Sequence, residues 1–158
     1  MLRTDLEQLL WEQRVPMLRL AMSILRHPQD AEDAVSCAIV QALRSADKLR
    51  DETRFAPWVM RITANACYDM LRRRKREREA LYQEQHLQDV FESPAEESLL
   101  PVLMRLPSAV SRVLILYYYE NFSTAEIAQV LRVPGATVRM RLTRGRRQLR
   151  EMLEEDVQ

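Results

Sequence analysis

Glycine is nearly absent from this chain, with Gly135 and Gly145 the only two among 158 residues. That scarcity leaves no glycine-rich loop to cradle a phosphate. Cysteine and histidine are equally sparse. Cys37 and Cys67 stand too far apart for a disulfide framework or a zinc spacing, and His27 and His86 complete no cluster. No nucleophile and base pair at an interpretable spacing, so no catalytic residue, metal or cofactor is expected. Long apolar runs are missing as well. The opening MLRTDLEQLLWEQR interrupts its apolar residues with charges, unlike a signal peptide or a membrane span. The expectation is a soluble cytoplasmic protein with reduced thiols and no membrane insertion.

What remains is rich in Leu, Arg, Glu and Ala, a composition that favours helix throughout. Net charge is only +1, but the charges are sorted into blocks. LRRRKRER occupies residues 71–78, and residues 132–150 carry seven Arg and no acid. Between them, residues 79–98 hold six acids and neither Lys nor Arg. Two basic surfaces joined by an acidic connector suggest two contacts with a polyanion.

The periodicity predicts an all-α protein of two small helical domains joined by a short acidic linker: residues 1–80, a linker at 81–97, and 98–158. A capping box at Thr4–Glu7 opens a first helix to about Leu25, with Pro16 inside it to kink or divide it. A second helix starts near Pro28 or Asp30 and turns Ala31, Val35, Ala38, Ile39, Ala42 and Ala46 inward. A third resumes around Phe55 to Pro57 and buries Phe55, Trp58, Val59, Ile62, Ala66 and Met70 before running into the Arg block. SPAE at 93–96 reads as another capping box and opens a short helix. Pro107 opens the next, STAE at 123–126 caps a two-turn helix, and the turn Arg132 to Gly135 leads to a final helix reaching about Leu153. The second domain is thus four helices, ending in a helix-turn-helix arrangement.

Two faces stand out. On the last helix Val138, Leu142, Gly145 and Leu149 share one side, which leaves Ala136, Arg139, Met140, Thr143, Arg144 and Arg147 on the other or its flanks. In a helix-turn-helix unit that outer side is free for the major groove, where an Arg fork grips guanine edges or phosphates. Seven arginines without an intervening acid forgo the salt bridges expected of a merely solvated helix. On the second helix Asp33, Cys37 and Val40 point away from the buried stripe, with Ser36 beside them. Acids in a first turn favour the helix dipole by about 0.3 to 1 kcal/mol each, which explains some of Asp30, Glu32 and Asp33 but not the apolar company Asp33 keeps.

The order LRLAMSILRHPQDAEDAV, FAPWVMRITANACYDMLRRRKR, and LPSAVSRVLILYYYENFSTAEIAQVLRVPGATVRMRLTRGRRQL resembles the extracytoplasmic-function group of bacterial RNA polymerase sigma factors over roughly residues 10–153. The resemblance implies a factor that binds core RNA polymerase and directs promoter-specific initiation, with an anti-sigma factor as a further partner. It implies that Asp30, Glu32 and Asp33, continued by Ser36, Cys37 and Val40, meet the clamp helices of the polymerase largest subunit. It assigns the minus-10 element to Arg54 and, on the third helix, to Arg61, Asn65, Arg72, Arg73 and Arg74, and a flipped base to the loop from Asp47 to Arg54. The minus-35 element falls to Ala136, Thr137, Arg139, Met140, Thr143, Arg144 and Arg147. The chain departs from the family's usual residues at Ser36 and Cys37, Ile39, Ala64 and Met140. Two rival readings are a stand-alone helix-turn-helix regulator that binds duplex DNA, and a sigma-like decoy that sequesters a regulator.

Overall fold

A computed structural model describes residues 3–81 and 99–157, with side chains for 4–77 and 99–155. The chain divides into two compact units, Met1–Asp89 and Val90–Gln158. Among the described residues there are helices and connections and no strand. Residues 82–98 lie outside the described part, and with them the SPAE box and all but the first residue of the expected linker.

The first unit is three helices, each packed on the other two: α1 (Arg3–Leu25), α2 (Pro28–Arg44) and α3 (Phe55–Leu81). α1 runs as one helix through Pro16. It already includes Arg3, so Thr4 sits inside the helix rather than capping it as the sequence suggested. Leu6, Leu10, Met17, Leu20, Ala21 and Ile24 form its buried side. α2 has Pro28 at its first turn and His27 as N-cap, with the imidazole Nδ1 accepting from the Asp30 N–H at 3.4 Å. Its buried stripe is largely alanine, at Ala31, Ala34, Ala38 and Ala42, with Val35. Small side chains at steps of three and four let a helix approach its neighbours closely. Ile39 is only half-buried, and Ala46 falls in a separate 3₁₀ turn, Ala46–Lys48.

α3 is turned relative to the sequence expectation. Phe55, Val59 and Met70 are buried as expected, but Trp58, Ile62 and Ala66 are half-buried, and Met60, Thr63, Ala64 and Cys67 are fully enclosed instead. The cause is that α3 packs on α1 and α2 together, so its buried arc is wider than a single stripe. Thr63 is tolerated there because its hydroxyl donates to the Val59 carbonyl at 2.8 Å.

The second unit holds α4 (Leu100–Leu103), α5 (Ser108–Tyr118), α6 (Thr124–Leu131) and α7 (Gly135–Val157). Its core is Leu103, Val113, Leu114, Ile115, Leu116, Ile127, Val130, Val138 and Leu142. The capping box before α6 forms as the sequence predicts: Ser123 Oγ accepts from the Glu126 N–H at 3.1 Å, and Glu126 Oε1 accepts from the Ser123 N–H at 2.9 Å. Such a cap contributes about 1 kcal/mol. The turn between α6 and α7 is one residue shorter than expected. Arg132 takes the left-handed conformation, at φ 57° and ψ 47°, while Gly135 is already the first residue of α7. Arg26 and Asn121 also have positive φ, so three helix exits in this glycine-poor chain are made by residues with a Cβ.

Candidate nucleic-acid and partner interfaces

α2 shows one exposed side beside its alanine stripe. Glu32, Asp33, Ser36, Cys37 and Val40 are all exposed, and positions 33, 36, 37 and 40 follow the helical repeat, which aligns them along one strip. Val40 leaves 47% of its surface open, a large apolar exposure on this strip. Asp33 accepts a hydrogen bond from the Gln29 amide at 3.1 Å, which fixes its carboxylate on the outside. Asp30 behaves differently. Its side chain is 13% exposed, and its Oδ2 forms an ion pair with Arg74 of α3 and lies 3.5 Å from His27 Nδ1. An acid expected at the polymerase and a base expected at DNA are therefore partners of each other.

On α3, Arg61 is exposed and Asn65 is half-buried. Asn65 belongs to a groove of about 580 Å³ between α2 and α3, floored by Ile62 and Met70 and rimmed by Cys37, Gln41, Asp69 and Arg73. The groove unites Cys37 from the α2 strip with Asn65 and Arg73 from the basic helix. Gln41 and Asp69 were not among the residues singled out in the sequence. Their positions follow from where α2 crosses α3, which periodicity along one helix does not report. Beyond Met70 the helix leaves the core: Arg72, Arg73, Lys75 and Arg76 are exposed, and Arg72 pairs with Asp69 one turn earlier.

The loop before α3 is built on a cap of its own. Asp51 Oδ1 accepts from the Thr53 hydroxyl at 2.6 Å and from the Thr53 N–H at 3.0 Å, closing the 3₁₀ turn Glu52–Arg54. The Thr53 hydroxyl first, and its backbone N–H second, hold the Asp51 carboxyl below its ordinary range. Arg54 ends that turn with its side chain exposed.

In the second unit, Ala136, Arg139, Met140, Thr143, Arg144 and Arg147 are exposed on α7, and Thr137 is half-buried. Val138, Leu142 and Gly145 are buried on the opposite side, and Leu149 is half-buried. Gly145 is required by proximity. A Cβ there would lie 2.8 Å from Leu114 Cδ1 and from Val110 Cγ1, so glycine lets α7 sit against α5. Thr143 donates its hydroxyl to the Arg139 carbonyl at 3.0 Å. Arg146 had no assigned role in the sequence reading. Its Nε donates to the Tyr118 hydroxyl at 2.7 Å, and its guanidinium stands 5.3 Å and 5.8 Å from the ring centres of Tyr117 and Tyr118. The Tyr118 hydrogen bond raises the Arg146 pKa above its ordinary value.

Among the described residues no group of His, Cys, Asp and Glu is arranged to hold a metal ion, and no helix is long and apolar enough to cross a membrane. The family model for sigma-70 region 2 matches residues 10–77, and that for sigma-70 region 4 matches residues 96–149. The ECF RNA polymerase sigma factor SigM of Mycobacterium tuberculosis is 32% identical over 158 residues, covering 96% of this chain and 78% of that protein. The ECF RNA polymerase sigma factor SigW of Bacillus subtilis is 27% identical over 154 residues, covering 87% and 82% respectively. Among solved structures, the sigma factor RpoE in complex with the anti-sigma factor NepR from Bartonella quintana aligns with a TM-score of 0.82 at 23% identity, over 95% of this chain and 97% of that one. At that identity the likeness concerns the fold.

Proposed function

This chain belongs to the extracytoplasmic-function group of RNA polymerase sigma factors, and from that premise we propose how its exposed faces divide the work of promoter-directed initiation. The α2 strip of Glu32, Asp33, Ser36, Cys37 and Val40 docks on the clamp helices of core polymerase. Arg54, Arg61, Asn65, Arg72 and Arg73 engage the minus-10 region, where cations track the backbone of melted DNA. The α7 face of Ala136, Thr137, Arg139, Met140, Thr143, Arg144 and Arg147 enters the major groove at minus-35. Met140, 43% exposed among arginines, suits an apolar contact with a thymine methyl. Polymerase supplies the bond-making chemistry, and this factor is regulatory rather than catalytic. An anti-sigma factor is a further expected partner, since one solved structure of this fold is a sigma factor bound to such a protein.

The observation that carries this reading is the exposed α2 strip, whose acidic and apolar groups lie opposite a fully buried alanine stripe. A helix-turn-helix regulator acting alone would leave that strip without a task, and a decoy would bind core or a regulator without initiating. The test is capture of purified core polymerase by the wild type and by Asp33→Arg, followed by run-off transcription across a promoter library. Wild-type capture with promoter-specific transcripts, and at least a tenfold loss of capture in the variant, is the expected result. Absence of core binding by the wild type would sink the reading.

A further inference from the structure

Arg74 occupies a place unlike the other cations of its block. Between residues 71 and 77 every described side chain is exposed except that of Arg74. It continues the inner face of α3, following Cys67 and Met70 at steps of three and four, just where apolar packing stops. Its guanidinium reaches the N-terminal turn of α2 and pairs with Asp30, whose side chain is 13% exposed. Asp30 is itself set in place: its N–H donates to His27 Nδ1 at 3.4 Å, and its carboxylate sits where the α2 dipole favours a negative charge.

We propose that Asp30 and Arg74 are a positioning pair, a latch that aims the basic end of α3, rather than a polymerase contact and a DNA contact. The inference rests on the sigma factor reading above, because it concerns what that basic end is aimed at. Exposed arginines on a helix that has left its core track a phosphate backbone only if the helix direction is held. An ion pair of two mostly shielded groups, one on each helix of the α2–α3 crossing, holds it. Removing either partner breaks the same ion pair between α2 and α3, so the two lose their effect together. The acids left for polymerase are then Glu32 and Asp33, and the cations of this block left for melted DNA are Arg72, Arg73, Lys75 and Arg76.

A double-mutant cycle tests this with the full chain: Asp30→Asn, Arg74→Gln and both together. Core affinity is measured by titration of labelled protein. Holoenzyme binding is measured to a fork-junction DNA taken from the most active promoter in the run-off library, over a range of salt. Each single variant should weaken fork binding about fivefold and the double variant also about fivefold, the non-additivity expected of coupled residues. Core affinity should stay within about twofold of wild type, and the salt slope with Arg74→Gln should be unchanged, whereas loss of a single-strand phosphate contact lowers it by about 0.7. Circular dichroism melting monitors folding, and a charge exchange, Asp30→Arg with Arg74→Asp, serves as a second variant. The exchange should bind the fork at least about threefold better than Arg74→Asp alone, because a restored pair rescues a latch. Additive losses, a reduced salt slope, weakened core binding by Asp30→Asn, or no rescue by the exchange would each overturn the proposal. A wild-type chain that does not bind core overturns the sigma reading, and this inference with it.

Discussion

The two basic helices display their arginines in opposite ways. α7 keeps one side buried through Val138, Leu142 and Gly145 while its arginines occupy the other side of the same turns. α3 packs its inner face between Phe55 and Met70 and carries its densest charge beyond that point, where, among the described side chains, only Arg74 retains shielding. A side-by-side arrangement ties the position of each α7 arginine to core packing. An end-to-end arrangement frees the α3 arginines from the core and makes their direction depend on a polar tether. The first suits a rigid groove reader, in which small displacements change base contacts. The second suits backbone tracking along melted DNA, which needs the helix direction held but not the exact placement of each side chain.

If packing under α7 is what places its arginines, Leu142→Ala should be the most damaging of three substitutions. The side chain is 3% exposed, and truncating such a leucine costs about 2 to 5 kcal/mol. Urea denaturation should show that loss, and duplex binding at minus-35 should fall while core capture through α2 persists. Gly145→Ala probes the same contact more gently. Overpacking against Leu114 and Val110 costs about 1 to 3 kcal/mol, and improved helix propensity returns about 1, so a net loss near 1 kcal/mol is expected from the same measurement. Arg73→Ala lies at the other extreme. As an exposed residue beyond the core it should change stability by no more than about 0.5 kcal/mol, yet lower the salt slope of fork binding by about 0.7. A stability loss above 1 kcal/mol for Arg73→Ala, or none for Leu142→Ala, would erase the contrast between the helices.

Much of this was legible in the chain because the signals are local. The Ser123 and Glu126 box, the outward face of α7 and the strip from Asp33 to Val40 each depend on residues within a few turns of one another. The inner face of α3 was read less well. Its apolar residues were assigned to one stripe, whereas contact with two helices drew in Met60, Thr63, Ala64 and Cys67 and left Trp58 half-buried. The turn before α7 ends one residue earlier than expected, since Gly135 already belongs to α7, and its left-handed residue is Arg132.

Helical periodicity and capping chemistry act over a single turn, and for that reason the sequence by itself determined where the helices run, which sides carry charge, and the family to which the chain belongs. Tertiary structure alone decided the partners. Asp30 and Asp33 are three residues apart and chemically identical, yet one is paired with Arg74 and the other faces outward. Arg146 and Arg147 are adjacent, yet one is clamped by Tyr118 from 28 residues away while the other lies open on α7. Which member of each pair is engaged depends on the angle at which two helices cross, a quantity that no repeat along one helix encodes.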